Sequence, residues 1–256
     1  MPELRALFDT EHPVALVTGS GAKRVGNVVA RALAARGFHL VLHANRSVAE
    51  AEETGNEIHQ AGGQAIALAA DLMNEFAARK LVDDAHRHFG RLDVLVNGAA
   101  IWRNIPLERV TADEVRRNFE INTLATFLCS QQAGLIMAAQ PTGGVIINIG
   151  DWAVARPYLN YAAYFPSKGA IPALTRDLAV ELAARNSRVR VNAILPGPVM
   201  LPLDLPAEER QASIAGTLVK REGSPQHIAH AVLFLIENDF VTGVSLPVDG
   251  GRTIAP

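Results

Sequence analysis

The sequence has a single cysteine, Cys129, so no disulfide closes within the chain. It has no excess of one charge: 24 Lys and Arg stand against 26 Asp and Glu, for a formal net charge of -2. No long run of either sign offers a surface to a polyanion, and nucleic acid is not an expected partner. No apolar stretch approaches the roughly eighteen residues that a spanning helix needs, the nearest being short ones such as Ala231 to Ile236. Charges scattered from Met1 to Pro13 interrupt any apolar leader. These absences point to a reducing, cytoplasmic setting and to no membrane partner. The eight histidines show no metal-ligand spacing with each other, with Cys129 or with carboxylates, so no metal is expected. What remains is 256 residues that are 49% hydrophobic and only 20% charged, enough for one large core and unlike a disordered chain.

Short apolar runs alternate with helical periodicity from the start. Val14–Thr18 reads as a strand, followed by a glycine-rich turn and a helix over Val25–Arg36. Further strands are expected at Leu40–His43, Ala65–Ala70, Val94–Asn97, Val145–Ile149, Arg190–Ile194 and Ser245–Val248. Helices are expected between them, including a long one over Ala112–Met137 and another over Tyr161–Ala184. Strands separated by helices imply crossovers, so the expected fold is one α/β domain over residues 1–256, a Rossmann-like doubly wound parallel sheet of about seven strands with helices on both faces. Residues 1–12 read as a flexible arm. Residues 196–222, with four prolines between Pro196 and Pro206, read as an irregular substrate-binding lid.

The turn after the first strand carries Gly19, Ser20, Lys23, Arg24, Val25 and Gly26. Glycines there let backbone approach a ligand, and the helix start that follows favours an anionic pyrophosphate. The second strand ends in His43, Ala44, Asn45, Arg46 and Ser47, with no carboxylate before Glu50. A carboxylate at that place binds a ribose 2′-hydroxyl, whereas a guanidinium accepts a 2′-phosphate, so NADP(H) is the expected cofactor. Tyr164 and Lys168 are four apart and share a helix face, the arrangement of a phenol whose acidity a neighbouring cation tunes. Pro166 and Pro172 fall in that helix, where each removes a backbone donor.

With these residues in order, the chain resembles the short-chain dehydrogenase/reductase family over nearly its whole length. Thr18 to Gly26 is similar to the family's cofactor turn, although it has one residue more than usual between Gly19 and Gly26. Asp71 and Leu72 match its adenine contact, and Asn97, Gly98, Ala99 and Ala100 its Asn-Asn-Ala-Gly motif. Pro196 and Gly197 match the turn on the nicotinamide side, where a backbone contact from Val199 replaces the frequent Thr or Ser; Thr242, Gly243, Asp249, Gly250 and Gly251 match the C-terminal signature. The resemblance implies that Tyr164 donates a proton, that Lys168 lowers the tyrosine pKa and binds ribose, and that Asn122 holds a water for proton relay. It also implies a homotetramer built on the two long helices.

The family's serine, thirteen residues before the tyrosine, is Asp151 here. A serine hydroxyl donates to a carbonyl oxygen developing negative charge, whereas a carboxylate only accepts and repels that charge. Asp151 therefore suits a substrate that needs protonation at nitrogen or presents N–H donors. Pteridine and dihydromonapterin reductases carry an aspartate at this place, an arginine in the cofactor turn like Arg24, and an aromatic residue like Trp102 against which the flat ring stacks. The resemblance thus implies an NADPH-dependent reduction of a pterin-like C=N bond, with Trp102, Asp151, Tyr164, Met200 and Leu201 around a small-molecule substrate. A carbonyl or 3-oxoacyl-thioester reductase is the alternative, and a non-catalytic NADP(H) sensor or scaffold a further one.

Overall fold

A computed structural model describes residues 4–255. Strands β1 (Val14–Thr18), β2 (His39–Ala44), β3 (Ala65–Ala69), β4 (Val94–Asn97), β5 (Gly144–Ile149), β6 (Val189–Pro196) and β7 (Ser245–Val248) form one sheet in the order β3-β2-β1-β4-β5-β6-β7. Every pairing is parallel, for example Val14 with His39 and Ala15 with Val94. β1 and β4 are buried along their full length, as they must be when helices cover both faces, and this is why both read as unbroken apolar runs.

Two cores lie on opposite faces of the sheet. One is filled by α1 (Leu4–Phe8), α2 (Val25–Ala35), α3 (Val48–Gln60) and α9 (Pro225–Glu237). The other is filled by α4 (Glu75–Phe89), α6 (Ala125–Ala139) and α7 (Tyr164–Ala183). The strand order reverses beside β1, where β2 leads one way and β4 the other. Parallel α/β sheets bind ligands outside the carboxyl ends of the strands at such a point, so the topology places the site before any side chain is considered.

Four expectations are corrected. The N-terminal arm is not free: residues 1–3 lie outside the described residues, but 4–8 form α1, and Leu4 and Phe8 are buried in the first core. Phe8 meets Phe38 edge-on at 6.0 Å, and Arg91 donates to its carbonyl at 2.7 Å. The long helix over 112–137 is three segments, α5 (Ala112–Phe119), a π-helical turn over Glu120–Leu124, and α6. Residues 196–222 are not wholly irregular, since Pro196 ends β6 and α8 (Ala207–Ala215) lies within them. Helix α7 starts at Tyr164 rather than Tyr161. Pro166 therefore falls in its first turn, where no backbone donor is needed, and Pro172 alone lies in its interior.

Candidate active site

The turn after β1 is tied to both neighbouring strands. Thr18 Oγ1 accepts from the Gly98 and Ala99 amides at 3.1 and 3.2 Å, joining it to the end of β4. Gly19 has φ +70°, and a Cβ there would lie 2.8 Å from Ala99 Cα, so no other residue fits. Ser20 is buried; its hydroxyl donates to Val17 O at 2.7 Å and accepts from His43 N at 3.1 Å. His43 points inward and bonds backbone with both ring nitrogens, so it supports the turn instead of facing a ligand. Asn97 is likewise internal: its amide donates to Ser130 and Asn148, both at 2.9 Å, while Gly98 and Ala99 are only partly buried and Ala100 is exposed.

α2 begins at Val25 with no side-chain cap from Arg24, so its first amides are not satisfied by a local acceptor. Arg24 and Arg46 stand exposed and make no salt bridge among the described residues, whereas Lys23 pairs with Glu53 at 3.5 Å. Ser47 lies against Gly21, where a Cβ would sit 2.6 Å from its hydroxyl oxygen. An uncapped helix start of this kind fits an anionic dinucleotide. Asp71, at the end of β3, is exposed and accepts from Met73 N at 3.1 Å, with Asn45 Nδ2 at 3.5 Å; Leu72 beside it is buried. On the far side of β1 the chain leaves β6 at Pro196 and Gly197, where a Cβ on Gly197 would lie 2.4 Å from Asp249 Cα. Val199 then bridges to Gly223.

Beyond β5, Asp151 Oδ1 accepts from Ala153 N and Oδ2 accepts from the Tyr164 hydroxyl, each at 2.8 Å. Lys168, one turn along α7, is buried and donates to Ile149 O at 2.7 Å. Burial raises the Asp151 pKa, against the opposing pull of Ala153 N–H, Tyr164 and Lys168. Burial and then the Asp151 carboxylate push Tyr164 well above the usual phenol. Burial lowers Lys168 to about 8, with Asp151 opposing. The expected lowering of the tyrosine pKa is thus reversed, first by burial and then by the carboxylate that stands where the family has a neutral hydroxyl. Such a phenol keeps its proton and aims it at an anion.

Asn122 sits in the π-helical turn, fully buried. It accepts from Ile101 N at 2.9 Å and donates to Ile101 O at 3.1 Å and Ser167 Oγ at 3.0 Å, so it ties the loop after β4 to α7. Trp102 in that loop is half-exposed and stacks on Tyr161 at 4.9 Å and 16°. Tyr158 stands edge-on to Tyr161 and Phe165 at 5.0 and 4.9 Å. Tyr158 and Tyr161 were not foreseen, yet a signal existed: the three tyrosines of the chain fall at 158, 161 and 164, a spacing of three that places them together near a helix start. Met200 (φ +54°) and Leu201 lie in the segment after β6, which is held where Glu222 accepts from Leu201 N at 2.9 Å and pairs with Arg210 at 2.6 Å.

A parallel seven-stranded α/β fold with this turn, this tyrosine and lysine one helical turn apart, and this C-terminal loop defines a class of nicotinamide-linked oxidoreductases. Residues 21–253 match the family model described as enoyl-(acyl carrier protein) reductase, and the chain belongs to the short-chain dehydrogenase/reductase family. It is similar to an uncharacterized oxidoreductase of Methylorubrum extorquens, 38% identical over 94% of this chain and 98% of that one. Among solved structures it is similar to a 7α-hydroxysteroid dehydrogenase complexed with NADH and 7-oxo glycochenodeoxycholic acid, at TM-score 0.87 and 32% identity, covering 95% and 96% of the two chains. It is also similar to a blue fluorescent protein from a metagenomic library in complex with NADPH, at TM-score 0.86 and 35% identity, covering 94% and 97%.

Proposed function

We propose that this oxidoreductase is an NADP(H)-dependent reductase that acts on a pterin-like C=N bond, with Tyr164, Lys168, Asp151 and Asn122 as its catalytic group. The observation that carries the reading is the 2.8 Å hydrogen bond from the Tyr164 hydroxyl to the Asp151 carboxylate. A raised tyrosine pKa keeps the phenol protonated and works against the phenolate that alcohol oxidation requires, so the site favours reduction. The bound nicotinamide supplies hydride. Asp151 accepts N–H donors of the heterocycle and passes the proton on, Tyr164 donates, and Trp102, backed by Tyr161, offers a face to a flat ring. Lys168 holds charge beneath the pair, and Asn122 holds the loop that carries Trp102.

On this reading the first amides of α2 and the Gly19 turn take the pyrophosphate, and Arg24, Arg46 and Ser47 take a 2′-phosphate. Asp71 and Leu72 border the adenine, and Gly98, Ala99, Pro196, Gly197 and Val199 line the way to the nicotinamide. Met200 and Leu201 close over the substrate.

A second reading has a specific observation behind it. Because burial raises the Asp151 pKa, a protonated Asp151 is a hydrogen-bond donor that replaces the family serine toward a carbonyl oxygen. The hydroxysteroid dehydrogenase with its 7-oxo ligand is of that kind. NADPH and NADH oxidation with 7,8-dihydrobiopterin, dihydrofolate, an acetoacetyl thioester and simple ketones separates the two, using wild type, Asp151→Ser and Tyr164→Phe. The pterin reading expects turnover of pterins with NADPH and its loss in both variants. Turnover of ketones alone, unchanged or faster in Asp151→Ser, makes the protein a carbonyl reductase. Tight NADP(H) binding with turnover of none of these substrates leaves the sensor or scaffold.

A further inference from the structure

His43 lies near the end of β2 with its ring buried under the turn that follows β1. Its Nδ1 is 3.0 Å from the Gly19 amide nitrogen and its Nε2 3.0 Å from the Ala70 carbonyl oxygen. An amide N–H only donates and a carbonyl only accepts, so the ring is neutral and carries its proton on Nε2. The backbone of the same residue also holds the turn: its N–H donates to Ser20 Oγ at 3.1 Å, and its carbonyl accepts from Ser20 N at 3.0 Å. One residue thereby joins the ends of β1, β2 and β3. A second proton on Nδ1 sets N–H against the Gly19 N–H and leaves that amide without its acceptor. Gly19 has little room to yield, with Ala99 packed against it. The turn has to move instead.

We propose that His43 is a positioning residue for the nicotinamide dinucleotide, acting through the Gly19 turn without touching the ligand, and that protonation of its ring weakens dinucleotide binding. The inference rests on the reading that this turn holds the cofactor. Burial, only partly opposed by the Ala70 carbonyl, keeps the ring uncharged down to a lower pH than the ordinary 6.5. The charged side chains on the elements packed around it are Lys23 and Arg24 on the turn, Arg46 beyond β2 and Asp71 beyond β3. Lys23 is paired with Glu53 and Asp71 is bonded to Met73 N, and none of the four is among the causes of the ring's shift. Because the bound state needs the neutral ring, affinity is full above the His43 pKa and falls as pH drops through it. A histidine that touched the 2′-phosphate behaves oppositely, since an imidazolium attracts phosphate and binding strengthens in acid.

The test is calorimetric binding of NADP⁺, which is stable in acid, from about pH 8 to about pH 5.5 with wild type, His43→Asn and His43→Phe. Asparagine keeps an acceptor for Gly19 that does not titrate, and phenylalanine keeps the ring's shape with no acceptor. The ligand's own titration is common to all three and cancels in the ratios. Wild type is expected to weaken relative to His43→Asn across this range by about threefold, less than the roughly tenfold that an unshifted imidazole gives, with His43→Phe about tenfold weaker throughout and parallel to His43→Asn. Ring nitrogen NMR shifts of the free wild-type protein, which need no variant to fold, are expected to show the Nε2–H tautomer at neutral pH. A wild-type profile parallel to His43→Asn, binding that strengthens in acid, or an Nδ1–H tautomer overturns the inference. Absence of nicotinamide-nucleotide binding at every pH overturns the cofactor reading, and the inference with it.

Discussion

Lys168 shows how the site is paid for in stability. Its ammonium is buried and its pKa is about 8, so the unfolded chain binds that proton more tightly than the folded one. At about 1.4 kcal/mol per unit, a shift of this size costs the fold on the order of 3 kcal/mol below pH 8. The cost fades as pH rises toward the ordinary lysine value of 10.5, where neither state holds the proton, so stability climbs across that window. Lys168→Met removes the buried charge and also the bond to Ile149 O, which is worth about 1 kcal/mol. The variant is therefore expected to be inactive yet more stable than wild type by on the order of 1–2 kcal/mol at pH 7, with the gap closing by about pH 10. Urea unfolding at the two pH values checks this, and a less stable variant at pH 7 refutes it. Cys129 is a different kind of buried group: it lies in the core under α4, with its thiol pushed up to about 12 by burial, and it is inert packing.

The elements that hold the site differ in how openly the sequence declared them. The strands were readable because each is a short apolar run between turn residues, and Ser245–Val248 falls where it was expected. The π-helical turn was not, because its cause is tertiary: Asn122 leaves the helical pattern to bind Ile101 and Ser167, and a one-residue bulge has no signature in composition. α1 was missed because five residues carry no helical period, and what holds them is the pocket formed by Phe38 and its neighbours. Phe8→Ala is expected to destabilise by about 3 kcal/mol or more, as truncation of a buried phenylalanine does. Thermal unfolding followed by circular dichroism measures it, and an unchanged midpoint means that α1 is not docked. α8 was missed for the opposite reason, since the prolines before it imply irregular chain while Pro206 in fact immediately precedes a helix start.

Two of the longer helices leave apolar residues uncovered on the single chain. α6 and α7 pack on each other, closely enough that a Cβ on Gly134 would meet Leu182 at 2.4 Å, and they still expose Leu135 and Val180, beside Leu124 at the end of the π-helical turn. We propose that these faces meet in a homotetramer, since charged residues are depleted and apolar ones enriched where subunits associate. Leu135→Glu together with Val180→Glu is expected to yield smaller species by light scattering, with the circular dichroism spectrum unchanged because both residues already face water in the single chain. A wild type that scatters as a monomer removes the proposal.

The alternation of apolar runs and helical stretches was enough to determine a parallel α/β sheet, because burial on both faces demands it. The spacing of Tyr164 and Lys168, and the aspartate at 151, determined which chemical groups the site contains. Only the tertiary structure decided what those groups do to one another, because hydrogen-bond partners and burial depend on contacts between residues distant in sequence. It turned His43 and Asn97 inward to hold backbone and core. It aimed the Tyr164 proton at Asp151, and it set Tyr161 behind Trp102.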